Sequence, residues 1–201
     1  MGKPGTGKGT QTSILYKKRG IYSISTGALI RNLPDNALGM RLREQISDGG
    51  LVSDEDILQL LGQELENTKY SNGCLLDGFP RRLSQAQKLE SIATVGRAFL
   101  FDVPDNIALE RILGRVSCKD CGEGYHLQFK QPEIRGACNH CDGVLIQRPE
   151  DSAEAFEKRI GIYNEETIPA IKFYEARGKI RRIDANKTPE EVAKDFLSYF
   201  P

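Results

Sequence analysis

The sequence has no tryptophan, only two histidines and 7% aromatic residues. So few rings exclude an extended base-stacking surface of the kind that binds single-stranded nucleic acid. It also lacks net charge, with Lys+Arg and Asp+Glu both at 28. The basic field of a dedicated nucleic-acid binder is therefore missing, although a local basic pocket stays open. No apolar run approaches the roughly 18 residues needed to span a bilayer. Met1 to Lys8 has no apolar stretch of the secretory kind. Met1-Gly2-Lys3-Pro4-Gly5-Thr6 fits the loose N-myristoylation pattern, but a phosphate loop accounts for the same residues better. The expected setting is cytoplasmic, with no membrane or nucleic-acid partner.

What is present suits one domain, or one domain with inserts: 201 residues, 39% of them hydrophobic, can bury a core. No internal repeat or low-complexity tract occurs. The patterning predicts helices over 7–19, 26–33, 38–47, from Ser53, and over 84–92, 105–113, 152–176 and 189–199. Short apolar strands are expected at 21–24, 74–77, 98–103 and 179–183. Asp54 and Asp56 stand in a first helical turn, where carboxylates suit the positive dipole end. Strands alternating with helices argue for an α/β fold, a parallel sheet flanked by helices. From Gly114 to Arg148 the helical period disappears, and cysteines, glycines and aromatics point to a small metal-stapled β module.

Gly2-Lys3-Pro4-Gly5-Thr6-Gly7-Lys8 fits G-x-x-x-x-G-K and opens a helix. Glycines let successive N–H groups turn toward an anion, the helix start adds positive potential, and Lys8 adds a charge. The residue after Lys8 is Gly9 rather than the Ser or Thr that usually ligates magnesium, which argues against GTPase and motor-ATPase types. A phosphate loop ordinarily follows a strand, yet only Met1 precedes this one. The expectation is a sheet lacking its first, central strand, which would leave two strands unpaired. A misplaced start codon or a truncated copy of an ordinary enzyme would account for it.

Cys118-x₂-Cys121, sixteen residues, then Cys138-x₂-Cys141 is a tetrahedral zinc pattern. Four thiolates leave no open position, so the ion would be structural. Two disulfides or an iron site are the alternatives. His126 and His140 are rival ligands in principle, and Cys74 reads as a small core residue. A zinc ribbon for nucleic acid is disfavoured, because Gly114 to Asp151 carries five Lys/Arg against six Asp/Glu. Asp77 stands at the carboxyl end of its strand, where open α/β sheets bind ligands, or it is a turn cap. Arg31 alone reads equally as a solvated helix charge.

Gly7-Lys8-Gly9-Thr10-Gln11, then Ser25-Thr26-Gly27, Asp77-Gly78-Phe79-Pro80-Arg81 and Phe101-Asp102-Val103-Pro104 together resemble the adenylate kinase family, in order over essentially the whole chain. The resemblance implies a P-loop kinase of nucleoside monophosphates. Its core would be 1–24, 55–113 and 152–201, with a helical AMP-binding segment at 25–54 and a zinc-binding lid at 114–151. ATP would meet Gly5, Thr6, Gly7, Lys8, Gly9, Thr10, Arg111, Arg115, Gly124, Tyr125 and Lys187. AMP would meet Thr26, Arg31, the backbone of Gly50, Leu51 and Val52, Gly78, Phe79, Pro80, Arg81, Gln85, Arg148 and Arg159. Gln85 would read the adenine edge with its amide. Lys8, Arg81, Arg115, Arg148 and Arg159 would carry catalysis. Asp77 would hold the magnesium of ATP through water. The zinc would sit on Cys118, Cys121, Cys138 and Cys141, and the enzyme would be a monomer.

Three positions depart from the family pattern: Ala28 for Asp, Ala185 for Gly, and Glu150 for the first of two Asp. None removes a phosphate-binding cation. Two other readings remain at this stage, a kinase of another monophosphate and a non-catalytic zinc-binding protein.

Overall fold

The computed structural model describes all 201 residues. Helix α1 (Lys8–Arg19) starts and ends on left-handed glycines, Gly7 and Gly20, with Lys17, Lys18 and Arg19 in its last turn, where cations suit the dipole. Strand β1 (Ser23–Ser25) follows. It starts two residues later than patterning suggests and ends because Ser25 turns to cap the next helix. Helices α2 (Thr26–Arg31), α3 (Ala37–Ser47) and α4 (Asp54–Leu65) each begin on a side-chain cap, from Ser25, Asn36 and Ser53. A 3₁₀ turn at Thr68–Tyr70 leads to β2 (Leu75–Asp77), α5 (Leu83–Ile92), β3 (Ala98–Asp102) and α6 (Asp105–Leu113).

The cysteine-rich insert is a small three-stranded sheet joined by turns. Strand β4 (Arg115–Cys118) pairs antiparallel with β5 (Gly124–His126) on one side and β6 (Leu145–Ile146) on the other. Helix α7 (Ala153–Ile162), a π-helical turn at Tyr163–Thr167 and α8 (Ile168–Glu175) come next, then β7 (Ile180–Asp184) and α9 (Pro189–Leu197). Patterning suggested one helix from 152 to 176. The break has a local cause: Pro169 has no N–H to return to the carbonyl four residues back, and the π turn takes up the mismatch.

The parallel strands stand in two pairs, β1 with β2 and β3 with β7. Each strand of the four has a partner, so none is left wholly unpaired as the sequence suggested. Met1 lies along β3: its carbonyl accepts from the Phe101 N–H at 3.1 Å and its nitrogen donates to the Phe99 carbonyl at 2.5 Å. One apolar core joins β3 and β7 to α1, α6 and α9 through Leu15, Phe99, Phe101, Ile112, Ile183 and Phe196. A second, through Ile24, Ile30, Leu42, Leu61, Phe79 and Leu89, fastens α2–α4 to β1, β2 and α5. Cys74 is half-buried against this second core. No helix is long and apolar enough to cross a membrane.

Candidate active site

The glycine loop is tightly constrained. A Cβ on Gly5 would strike the Ala108 carbonyl oxygen and one on Gly2 would strike that of Phe101, and both residues hold positive φ. Gly7, at φ 79°, turns the chain directly into α1, whose first turn has no acidic residue to oppose an anion. Lys8 folds back over the loop. Its Nζ donates to the carbonyls of Gly2 at 2.8 Å and Lys3 at 2.7 Å, and to Thr6 Oγ1 at 3.0 Å. Burial brings the Lys8 ammonium down to about 7. Nearby Asp77 opposes the fall, and Arg81, Arg159 and Arg115 add to it. The sequence therefore gathers its cations at this loop.

Strand β2 ends at Asp77, which faces Lys8, and continues into Gly78, whose left-handed φ of 82° turns the chain into Phe79-Pro80-Arg81. A Cβ on Gly78 would lie 2.6 Å from Thr26 Oγ1, so Thr26 can close on this turn only over glycine. Thr26 itself donates to the Asp77 carbonyl at 3.4 Å. Arg81 is fixed from three sides: its Nε donates to the Gly78 carbonyl at 2.8 Å, its N–H to Gln85 Oε1 at 2.8 Å, and its carbonyl accepts from Thr167 Oγ1 at 2.9 Å. Burial lowers its guanidinium pKa, with Asp77 opposing and Arg31 contributing.

The insert supplies the remaining guanidinium groups from both of its ends. Arg115 Nε donates to Asp151 Oδ2 at 2.7 Å, and its Nη2 bonds the other oxygen of the same carboxylate. Asp151 is fully buried and also lies 3.9 Å from Arg159 Nη1. Arg148 Nε donates to Ser117 Oγ at 2.8 Å, across the β4 side of the insert. Arg31 Nη1 reaches Glu150 Oε1 at 3.2 Å. Burial, then neighbouring Arg115, brings Arg148 and Arg159 down to about 10 each. Mutually repelling cations held together in one cleft are what a multiply charged anion would relieve. Arg111 Nη1 donates to the Ala185 carbonyl at 2.8 Å. Lys187 is exposed and 3.5 Å from Asp184.

In the insert, the Sγ atoms of Cys118, Cys121, Cys138 and Cys141 all lie within 4.8 Å of one another. Cys118–Cys141 and Cys121–Cys138 are 3.5 and 3.6 Å apart. A tetrahedral site with Zn–S bonds of about 2.3 Å has sulfur edges of about 3.8 Å, so the four thiols fit that ion. A Cβ on Gly143 would come within 2.8 Å of Cys118 Sγ, which keeps this cradle open only to glycine. The Tyr125 hydroxyl, 3.4 Å from Cys138 Sγ, holds that thiol down at about 6. Tyr125 is buried, and its oxygen also accepts from the Asn139 N–H. Its side chain thus belongs to the thiol cluster. His126 packs on Gly114 and stacks on Phe129, and its Nδ1 accepts from the N–H groups of Gln128 and Phe129. Neither histidine belongs to the thiol cluster.

A family model described as Adenylate kinase matches residues 1–179. The chain belongs to the adenylate kinase family. It is 37% identical over 203 residues to the Adenylate kinase of Treponema denticola, covering all of this chain and 97% of that one. It is 39% identical to the Adenylate kinase of Rhizorhabdus wittichii, over 96% of this chain and 94% of the relative. Adenylate kinases are phosphotransferases, and membership makes this chain a nucleoside monophosphate kinase.

The structure brings together Lys8, Arg31, Arg81, Arg115, Arg148, Arg159 and Asp77, scattered over 152 positions of sequence, as neighbours in one charge cluster. It also adds residues that sequence reasoning did not single out as parts of the site. Thr167, in the π turn, props the Arg81 carbonyl, and Pro169 just after it, inside a helical pattern, was the available signal. Ser117 holds Arg148. Asp54, expected only as a helix-start charge, turns across to α5 and accepts from Arg82 Nη1 at 2.9 Å and Gln85 Nε2 at 2.8 Å.

Proposed function

We propose that the chain catalyses reversible transfer of the terminal phosphoryl group of ATP to AMP, giving two ADP. The observation that carries this reading is the convergence of Lys8 with five arginines at a glycine loop on a helix start. Together the two substrates bring about six negative charges into one cleft, and bidentate guanidinium groups match phosphate oxygens.

In this reading Gly5, Thr6, Gly7, Gly9 and Thr10 offer backbone N–H groups to the polyphosphate, and Lys8 leaves its loop carbonyls for it. Arg111, Gly124, the Tyr125 backbone and Lys187 line the remainder of the ATP side. Arg31 and Arg81 grip the phosphate of AMP. Thr26, Gly50, Leu51, Val52, Gly78, Phe79, Pro80 and Gln85 hold its nucleoside. Arg115, Arg148 and Arg159 face the phosphoryl group in flight. An oxygen of the AMP phosphate forms the new bond to the terminal phosphorus as the bond to the ADP oxygen breaks. That oxygen is already anionic at neutral pH, so no base is required, and the protein contributes alignment and charge stabilisation.

Asp77 fits a magnesium partner, being a carboxylate at the end of β2 that faces Lys8 and Arg81. The ion, carried in with ATP, neutralises phosphate oxygens. Zinc on the four cysteines would be a structural staple. The segments would be a core of 1–24, 55–113 and 152–201, an AMP-binding segment of 25–54 and a lid of 114–151. The two parallel pairs would be flanks of one sheet, with Met1 at its central position. Reduced thiols committed to zinc suit the cytoplasm, and a monomer suffices because one chain supplies every group.

The test is ADP formation from ATP with AMP, CMP, UMP or GMP as acceptor. Turnover with AMP well above the others supports this reading. Preference for another monophosphate would reassign the acceptor, and zinc binding without nucleotide binding would contradict catalysis.

A further inference from the structure

The Gln85 side chain is 3% exposed, and both ends of its amide are already spoken for. Its Oε1 accepts from the Arg81 N–H at 2.8 Å, and its Nε2 donates to Asp54 Oδ1 at 2.8 Å. A primary amide has two acceptor lone pairs and two N–H groups. One of each is used, and one of each remains. Turning the amide over would set its NH₂ against the Arg81 N–H and its carbonyl against the Asp54 carboxylate. Two hydrogen bonds would become two repulsions in a buried place.

Asp54 is itself held. Arg82 Nη1 donates to its Oδ1 at 2.9 Å and to the Val52 carbonyl at 3.1 Å, and the Ser84 hydroxyl bonds its Oδ2. Burial works to raise the carboxyl pKa. The hydrogen bonds from Ser84, Gln85 and Arg82 outweigh it and keep the group below the ordinary carboxylate range. It is therefore ionised at neutral pH and can only accept.

We infer that Asp54 is a positioning residue for base selection: it locks the Gln85 amide in the orientation that matches a 6-aminopurine and opposes a 6-oxopurine. This rests on the reading above, in which Gln85 meets the acceptor base. Adenine presents a donor at N6 beside an acceptor at N1. Guanine and hypoxanthine present the reverse, an acceptor at O6 beside a donor at N1. A freely rotating amide serves both patterns, and a locked one serves the first. Asp54 stands where the 25–54 segment returns to the core, so the loop that lines the base and the side chain that reads it share one anchor.

Hypoxanthine isolates the effect, since IMP differs from AMP in this reversed pair and has no 2-amino group. The experiment compares kcat/KM for AMP and IMP in the full-length wild type, Asp54→Asn, Asp54→Glu and Gln85→Ala, each checked by thermal melting. Asparagine can donate as well as accept and so releases the lock. Its AMP-to-IMP ratio should fall about tenfold, the equivalent of one hydrogen bond. Asp54→Glu keeps an acceptor-only group and should retain more of the ratio than Asp54→Asn. If Asp54→Asn does not fold, Asp54→Ser, which also removes the acceptor-only group and leaves the Ser53 cap in place, gives the same comparison. Loss of the ratio in Gln85→Ala with no change beyond about twofold in Asp54→Asn would overturn the role of Asp54 and leave that of Gln85 standing. An unchanged ratio in Gln85→Ala would remove Gln85 from the base and overturn both.

Discussion

Arg31, at the end of α2, and Glu150, at the end of the insert, form an ion pair of 3.2 Å that ties two parts of the cleft together. Glu150 is nearly buried, and it stands where the family pattern has the shorter Asp. The longer side chain engages a guanidinium group assigned to the phosphate of AMP, so substrate and carboxylate compete for one cation. Glu150→Gln removes the charge and keeps the shape. The KM for AMP should fall about threefold, in keeping with an ion pair whose arginine is partly open to solvent, with kcat little changed. Steady-state kinetics with varied AMP checks it, and an unchanged KM would mean that Glu150 does not compete.

Lys8 makes nucleotide binding proton-linked. Burial brings its ammonium down to about 7 in the free protein. A bound polyphosphate favours the charged form and lifts the value again. Above pH 7 the free side chain is mostly neutral and the bound one charged, so binding takes up a proton and ATP affinity weakens as pH rises. Calorimetry near pH 8 in buffers of differing ionisation enthalpy should show uptake approaching one proton. Its absence would take Lys8 off the phosphates. For folding the sign is also fixed. Between about 7 and the ordinary 10.5 the unfolded chain holds more protons, so this group makes stability rise with pH across that window.

Arg115 shares the buried Asp151 carboxylate with Arg159, and in the proposed reaction it would face the phosphoryl group in transfer. Arg115→Ala should lower kcat on the order of 10³-fold, as for other arginines acting on a phosphoryl transition state. The Kd for AMP should change far less. Single-turnover rates and AMP titration separate the two, and normal turnover would remove Arg115 from the transition state.

Chelation tests the thiol cluster. With all four positions taken by sulfur, zinc bound there would hold the insert's hairpins and do no chemistry. Removing it should lower the melting temperature more than it lowers the initial rate at a temperature where the protein stays folded. Immediate, complete loss of rate in folded protein would mean a catalytic metal.

Much of this was legible in the sequence because its signals are local. The glycine loop, the C-x₂-C pairs and the helix start at Ser53 act within a few residues. The convergence of Arg31, Arg81, Arg115, Arg148 and Arg159 is not local, and only the register with a family brought them together. What escaped was of two kinds. The π turn at Tyr163–Thr167 keeps a helical pattern of apolar residues while shifting their phase, so periodicity read straight through it. Asp54 looked like a helix-start charge, and its bonds to Arg82 and Gln85 depend on how α4 meets α5.

The central claim is that this cleft passes a phosphoryl group between nucleotides and keeps water out of the exchange. Phosphorus NMR of the chain with magnesium, ATP and AMP tests it most directly. The account predicts that the ATP and AMP signals decline together and ADP appears, two for each ATP consumed, with no matching growth of inorganic phosphate. Inorganic phosphate growing in step with ATP loss, or no reaction in a folded, zinc-loaded protein, would contradict it.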